Sequence, residues 1–272
     1  YQQAIRKYPH LDTEELKLTP YYITLLTELG INEKDYLYIQ ERQSDSVGSI
    51  HAFSSFYSKI SDEQDMSANL VLSSNALGRN LEKQTLLMKE TLNEVSFVET
   101  ERIRDIISQK RAMAEQSVTG NGHSLAMTAA CSGMSPIAEL NHKLSGLEAV
   151  KELRRLDKTL SDNASLLSLT RQLEKLHEKF RNIPIDLLLI AEETNLKEMR
   201  AKIPELWKIN EEITHLKEDL TLPNTREKRG EFWVADTQVN FCAKAYPTVP
   251  SNHPDSAPLT VLGGFLRNGF LH

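Results

Sequence analysis

The sequence predicts an α+β fold, in which an antiparallel sheet packs against several long helices and is followed by the start of a second, similar unit. Several long stretches carry apolar side chains at alternating spacings of three and four, the period of amphipathic helices. Between them lie short aromatic or alternating segments, which are typical of strands. With 40% hydrophobic and 26% charged residues among 272, the chain has the composition of a globular protein that buries a core.

The first part of the chain predicts a helix and a hairpin. Residues 21–29 form a short apolar run closed by Gly30, which favours a helix that ends at a left-handed glycine. Residues 36–42 are helical or irregular. The aromatic and small residues of 49–58 suit a strand, and residues 68–74 suit a second one. The polar stretch between these two segments predicts that they form a hairpin.

The middle of the chain predicts a series of helices. Asn80 is placed to cap the first, and a second helical pattern begins at Glu99. The small residues of 124–131 predict a helix suited to close packing. Ser135, followed by proline, predicts the start of another helix that continues to Leu153. The cleanest helical stripe consists of Leu166, Leu169, Leu173, Leu176 and Phe180.

The last ninety residues predict a change of unit. Residues 183–190 carry apolar side chains at both parities, as expected of a strand covered on both faces. Residues 196–220 predict a helix, and the proline, glycine and mixed charges of 223–230 predict a linker. The period of two in residues 233–244 predicts a half-buried strand, and residues 259–271 a small-and-apolar helix after a proline-rich loop.

These elements predict one domain over residues 1–222 and the beginning of an incomplete one over 231–272, joined by the linker. The chain begins at Tyr1 without an initiator methionine and stops directly after the apolar helix. Because that helix needs neighbours on which to bury its apolar face, we expect the natural polypeptide to continue in both directions.

Charge and hydropathy argue against nucleic acid and membrane as partners. The net charge is −6, so no broad basic surface is expected. No apolar run approaches the ~20 residues of a spanning helix. Cys131 and Cys242 lie far apart without a CxxC motif, which predicts two buried thiols in a reducing compartment.

Metal-ligand spacings are weak. The chain contains neither HExxH nor HxxEH, but Glu139 precedes His142, and Glu174 precedes His177, at the Glu-x-x-His spacing of di-iron helix bundles. Such pairs also arise by chance when 8 histidines are scattered among many glutamates. We therefore predict no metal ligand in this chain.

The sequence signals for a catalytic nucleophile and for an anion-binding site are equally weak. Cys131 and Ser135 lack a glycine-framed elbow and have no histidine tied to them by sequence. Gly120 and Gly122 either bind an anion at the start of the following helix or form a break between two packed helices. In the second case His123 caps a helix or packs against one. Three further glycines match no phosphate loop and suggest close approach of a helix to a sheet: Gly263, Gly264 and Gly269. We predict no catalytic residue, and the substrate-binding residues stay unknown.

Five segments together resemble the presequence-protease branch of the pitrilysin/insulinase-type zinc metallopeptidases. They are residues 22–36, 48–50, 76–107, 120–136 together with Gly146-Leu147, and 239–272. No single segment is a catalytic signature, but their order and spacing are specific, and the resemblance covers nearly the whole chain. The family usually shows Thr-Gly-Gly before the isoleucine at position 50, where this chain has Val-Gly-Ser.

The resemblance implies a non-catalytic C-terminal section of a zinc metalloendopeptidase that degrades peptides. Family members consist of four homologous α+β domains in two halves that close around a peptide. Residues 1–222 resemble the third domain, and residues 231–272 the start of the fourth. The zinc motif belongs to the first domain, so the resemblance implies no cofactor here and zinc in the N-terminal half. An arginine and a tyrosine that reach the substrate lie beyond His272 in the family pattern.

The implied partners are the N-terminal catalytic half of the same polypeptide and peptide substrates, in a bacterial cytoplasm or an organelle matrix. The alternative is a free-standing helical interaction module, or a di-iron bundle. An incomplete strand-and-helix unit with an exposed apolar face after residue 233 would favour the peptidase, whereas a closed all-helical bundle would favour the alternative.

Overall fold

The computed structural model describes residues 1–208, 219–236 and 238–269. Within these residues one four-stranded antiparallel sheet is combined with ten helices, so the predicted α+β class is confirmed. The spatial order of the strands is β2-β3-β1-β4. Their bounds are β1 Gln2–Lys7, β2 Ser49–Lys59, β3 Asp62–Asn75 and β4 Asp186–Leu189.

Most of the helices lie between β3 and β4 in the chain. Their bounds are α1 Thr13–Leu26, α2 Tyr36–Ser46, α3 Leu81–Glu94, α4 Thr100–Gly120, α5 Gly122–Cys131, α6 Pro136–Ser145, α7 Leu147–Thr159, α8 Asn163–Arg181, α9 Glu193–Trp207 and α10 Ser256–Gly269. Local chemistry explains several starts. Asp12 accepts from the backbone N–H of Glu15, and the Glu15 carboxylate accepts from the N–H of Asp12, which forms a capping box for α1. Asp162 caps α8 through the N–H of Ser165. No helix of the described residues is long and apolar enough to cross a membrane.

The chain forms two compact units, which are described separately. The first contains residues 1–55, 68–116 and 150–221, and the second contains residues 56–67, 117–149 and 222–272. The domain boundaries expected from the sequence, at 222 and 231, stay a prediction.

The central strand β1 is not predicted by the hydrophobic pattern. Its inward side chains are Gln2, Ala4 and Arg6, of which two are polar, and all three are at most 4% exposed. Gln2 donates to the side chain of Gln84 at 2.9 Å, and Arg6 donates to the carbonyl of Leu92 at 3.0 Å, so hydrogen bonds hold the strand against α3. β1 pairs with both β3 and β4 in antiparallel register. The buried residues of β1 do alternate along the strand, but because two of them are polar, a pattern of alternating apolar residues does not reveal the strand.

Several other sequence predictions require correction. α1 ends at Leu26, and no glycine of the described residues has a positive φ; Gly30 instead lets the carbonyl of Lys34 approach, where a Cβ atom would overlap it. The hairpin is confirmed, but the expected loop is mostly strand, since β3 begins at Asp62. The helix expected from Ser135 to Leu153 is broken between α6 and α7.

The segment expected to be covered on both faces is an edge strand. β4 is only four residues long, and Leu188 and Ile190 are 43% and 57% exposed. In the expected strand at 233–244, the described residues have no strand structure. The helix expected over 196–220 is present as α9 only as far as Trp207: Lys208 is left-handed, and Asp219 lies in an isolated β-bridge with Pro9. Residues 209–218, and the end of the helix expected at 259–271, lie outside the described part of the chain.

The core of the first unit contains an aromatic cluster around a buried histidine. The ring of Tyr22 stacks on Phe180 at 5.3 Å and on Phe97 at 6.1 Å, and its hydroxyl lies 3.0 Å from Nδ1 of His177. Burial lowers the pKa of His177 to about 4, and the positive charges of Arg6 and Arg181 act in the same direction. The imidazole is therefore neutral at neutral pH.

We predict that this histidine makes the first unit acid-sensitive. Below pH 6.5 the histidine of the unfolded chain binds a proton, whereas the buried His177 of the folded chain does so only near pH 4. The free energy of unfolding therefore has its full value above pH 6.5 and falls by ~3 kcal/mol as the pH is lowered to about 4. In urea unfolding at pH 7 and at pH 4, His177→Gln should show a pH dependence smaller by that amount than the unsubstituted chain. His123→Gln, which changes an exposed histidine, is the control. Equal pH dependence in the His177→Gln variant and the unsubstituted chain would contradict the assignment.

Candidate functional site

The glycine- and histidine-containing stretch between α4 and α7 is the part of the chain where the sequence places most candidate residues. It folds as α5, a tight turn and α6 within the second unit. Ser135 is the N-cap of α6: its Oγ accepts from the N–H of Ala138 at 3.2 Å. A hydroxyl used in this way stabilises the helix start and is not presented as a nucleophile.

An extended segment, residues 225–233, is bound to this stretch; we call it the strap. The backbone N–H of Thr225 donates to the side chain of Gln64 at 2.8 Å, and that of Glu227 donates to the carbonyl of Gly133 at 2.7 Å. Gln64 in turn donates to the carbonyl of Met134 at 2.9 Å. One glutamine of β3 therefore joins the strap to the α5–α6 turn.

Glu139 is held by cations rather than by a metal. Lys143, one turn along α6, lies 2.8 Å from its carboxylate, and Arg229 of the strap forms a hydrogen-bonded ion pair with it. Burial opposes ionisation, but the hydrogen bonds and charges of Lys143 and Arg229 outweigh it and hold the pKa of Glu139 below its usual value. A carboxylate satisfied by two cations has little capacity left for a metal ion.

His142 lies under the end of the strap and is only 2% exposed. Its Nε2 is 3.2 Å from Oε2 of Glu231, and the ring of Trp233 meets the imidazole edge-on at 6.0 Å. The indole N–H of Trp233 donates to the same Glu231 oxygen at 2.7 Å. Nδ1 of His142 is buried without a hydrogen-bond partner in the described part of the chain.

The two Glu-x-x-His pairs do not form metal sites. His142 faces Glu231 and Trp233, while Glu139 faces its two cations. In the first unit Glu174 is exposed on α8, whereas His177 is buried against Tyr22. Over residues 1–208, 219–236 and 238–269, no three His, Cys, Asp or Glu side chains come together in a group that could hold a metal ion. Within these described ranges, the side chains therefore offer no arrangement that fits a zinc or di-iron centre.

The remaining candidates are structural or exposed. Cys131 is half-buried and Cys242 is exposed, so the expectation of two buried thiols is wrong for Cys242. His123 is exposed. A Cβ atom at Gly122 would overlap the ring of Phe241, which favours a close-packing role over an anion cradle. Among the described atoms, nothing lies within 4 Å of a Cβ placed on Gly263 or Gly264, and for Gly269 only a side-chain atom of Phe265, at 4.0 Å; the expected close approach to a sheet is not observed.

Two clefts in the first unit lack histidine, cysteine and serine, although glutamates line both. One, of about 260 Å³, lies between α3 and α9 and is lined by residues such as Leu77 and Met199. The other, of about 550 Å³, is lined by Ile31 and by the ion pair of Arg42 with Glu90.

The strap is not predicted from the sequence, because the proline, glycine and mixed charges of residues 223–230 indicate a linker with nothing to bury. A signal was present: Thr225, Glu227, Arg229, Glu231 and Trp233 occupy alternate positions, the period of an extended segment with one contacting face. Its partners in α6 and β3 are not recognisable from that pattern.

Comparisons with known proteins agree on one family. The family model that matches residues 1–156 describes the region associated with the C group of the M16 peptidases. The mitochondrial presequence protease of Yarrowia lipolytica is 26% identical over 281 residues, which cover 100% of this chain and 28% of that protein. The mitochondrial presequence protease of Danio rerio is 24% identical over 289 residues, which cover 95% and 27%. Presequence protease 1 of Arabidopsis thaliana, chloroplastic/mitochondrial, is 23% identical over 250 residues, which cover 90% and 22%. The chain spans about a quarter of the length of these relatives.

The role of Ser135 as a cap can be tested by two substitutions. Ser135→Ala should destabilise the second unit by about 1 kcal/mol, whereas Ser135→Asp should restore stability because aspartate caps equally well. Thermal unfolding followed by circular dichroism measures both. Equal losses in the Ala and Asp variants would show that the hydroxyl has another role.

Proposed function

Because the chain belongs to the family of regions associated with the C group of the M16 peptidases, we propose that it is a non-catalytic C-terminal section of a zinc metalloendopeptidase that degrades peptides. The observation that carries this proposal is the alignment of presequence proteases along 90–100% of the chain, in three organisms. It agrees with the resemblance carried by the sequence motifs, which the family match confirms. The catalytic zinc is assigned to the N-terminal half of the parent enzyme, and none of the described residues is assigned a catalytic role.

The physical task of the section is to form part of the chamber that encloses the peptide. Enclosure limits substrates by size and removes water from around the bound chain. Residues 1–222 are assigned to the third domain, and residues 231–272 to the beginning of the fourth. The partners are the N-terminal half of the same polypeptide and the peptide substrate. The names of the relatives, which include mitochondria and chloroplasts, support an organelle matrix, with a bacterial cytoplasm as the other compartment.

Helix α10 supports a multidomain parent over the free-standing module. Its apolar side chains lie on one broad face, opposite Ser256, Thr260 and Arg267, and on that face Val261 and Leu262 are 72% and 46% exposed. The apolar face of an amphipathic helix is normally buried against other elements of the protein. Phe232 and Val234, at 100% and 104%, extend the exposed apolar surface of the second unit. The sheet argues independently against a di-iron helix bundle.

We predict that the 272-residue chain alone neither retains zinc nor cleaves peptides. Elemental analysis after dialysis should find far less than one zinc per chain, and a fluorogenic peptide should stay intact. The full-length polypeptide is the control, and should do both. About one zinc per chain, lost on substitution of His142 or His177, would contradict the proposal.

We also predict that the exposed surface of α10 makes the isolated chain self-associate. Sedimentation velocity should show an apparent mass that rises with concentration, because exposed apolar patches of this kind bind one another. Val261→Lys combined with Leu262→Lys should reduce the association, whereas Thr260→Lys, at an exposed polar position of the same helix, should change it much less. A monomer at all concentrations would argue for the free-standing module.

A further inference from the structure

The strap contacts the second unit through every second residue. Thr225, Glu227, Arg229, Glu231 and Trp233 each make a contact there. Of the residues between them, Lys228 and Gly230 are exposed and Phe232 is 100% exposed. The contacting residues also lie at the surface, with Trp233 39% exposed, so the two faces differ in their contacts rather than in burial. The side chain of Arg226 is 70% exposed and approaches Glu63 only at 3.5 Å. The strap is therefore an extended segment with one bound face and one free face.

The first anchor is a close approach of two backbones. The N–H of Glu227 donates to the carbonyl of Gly133, and a Cβ atom on Gly133 would overlap the carbonyl oxygen of Glu227. Because that neighbour is backbone, an added side chain cannot be accommodated by a rotamer change. Glycine at 133 is thus a condition for this anchor, in addition to the Gln64 bridge to Thr225.

The second anchor is a charge cluster. Arg229 lies between Glu139 of α6 and Glu227 of the strap itself, at 2.9 Å from the Glu227 carboxylate. The guanidinium is about one-third exposed and Glu139 is 16% exposed. Partial burial makes such a pair stronger than a fully exposed one, although its contribution is modest.

The third anchor is centred on His142. Glu231 accepts from the indole of Trp233 and lies beside Nε2 of His142, while the Trp233 ring covers the imidazole. Removal of Glu231 would leave both ring nitrogens of a 2%-exposed histidine without a partner, because Nδ1 already lacks one among the described residues. An unpaired buried polar group is costly, so this anchor couples Glu231, Trp233 and His142.

We propose that the strap is a latch, which closes on the second unit through these three anchors and opens as one unit when either end is released. The anchors are separate side-chain and backbone contacts, and no ladder of strand hydrogen bonds joins the strap to another strand in the described chain. A segment held in this way opens locally at a lower free energy than the core does. The latch fixes the point from which the chain after Trp233 departs, and opening frees that point. It does not depend on the proposed peptidase function.

Native-state digestion with trypsin tests the latch, since the strap contains the cleavage sites Arg226, Lys228 and Arg229. In the 272-residue chain these bonds should be protected, and Glu231→Ala and Gly133→Ala should each raise the cleavage rate by about tenfold or more. The two substitutions lie at opposite ends, so equal effects indicate opening as one unit.

The matched control is Phe232→Ala. Phe232 lies between Glu231 and Trp233 but on the free face of the strap, where it is 100% exposed. Its replacement by alanine should therefore leave the cleavage rate unchanged. An effect of Phe232→Ala as large as that of Glu231→Ala would overturn the proposal. So would cleavage in the unsubstituted chain that is as fast as in the variants.

Two further measurements keep the test decisive if a substitution unfolds the second unit. In a double-mutant cycle, His142→Ala and Glu231→Ala together should raise cleavage no more than Glu231→Ala alone, since they remove one shared anchor. Trp233→Phe removes only the indole donor, and hydrogen exchange of the Thr225 and Glu227 amides should then rise while that of α6 stays unchanged. Unchanged exchange at both strap amides would overturn the latch.

Discussion

The attachment of β1 to α3 is the constraint on which the first unit depends. β1 pairs with a strand on each side, and it places the side chain of Arg6 against the end of α3. Arg6 donates to the carbonyl of Leu92 and to the side chain of Asn93, so the positive charge meets the negative end of the helix dipole. Burial lowers the pKa of Arg6 to about 10, which leaves it protonated at neutral pH. Hydrogen bonds, rather than apolar contact alone, thus fix where the sheet meets its helix.

The second unit relies on a different kind of constraint. Its described helices are short, and the strap, which has no regular secondary structure, satisfies several of their polar groups. Glu139 and His142 looked like a ligand pair in the sequence, yet each is engaged by a strap residue, Arg229 and Glu231 respectively. Residue types that bind metals elsewhere are here used to hold polypeptide. The chemistry of a side chain is therefore decided by the partners that reach it.

This use of polar residues is in line with the proposed role, in which the chain helps to enclose a peptide and does not cleave it. The buried histidines, His142 and His177, each have a polar partner, Glu231 and Tyr22 respectively, and an aromatic neighbour. The apolar side chains of α10 differ from these buried polar ones. They are exposed, and little of the described chain packs against them. Together these features support the proposal that the chain is a section of a larger peptidase.

The sequence alone determined the hairpin of β2 and β3, the start of α6 at Ser135 and the apolar stripe of α8. These features depend on residues within a few positions of one another along the chain. The family assignment also came from the sequence. Only the tertiary structure decided the place of β1, the exposure of β4 and the role of the strap. Their partners are distant along the chain: Thr225 and Gln64 are separated by 161 positions. The sequence pattern shows which side chains prefer to be buried. Which distant group each of them then contacts is decided only when the chain folds.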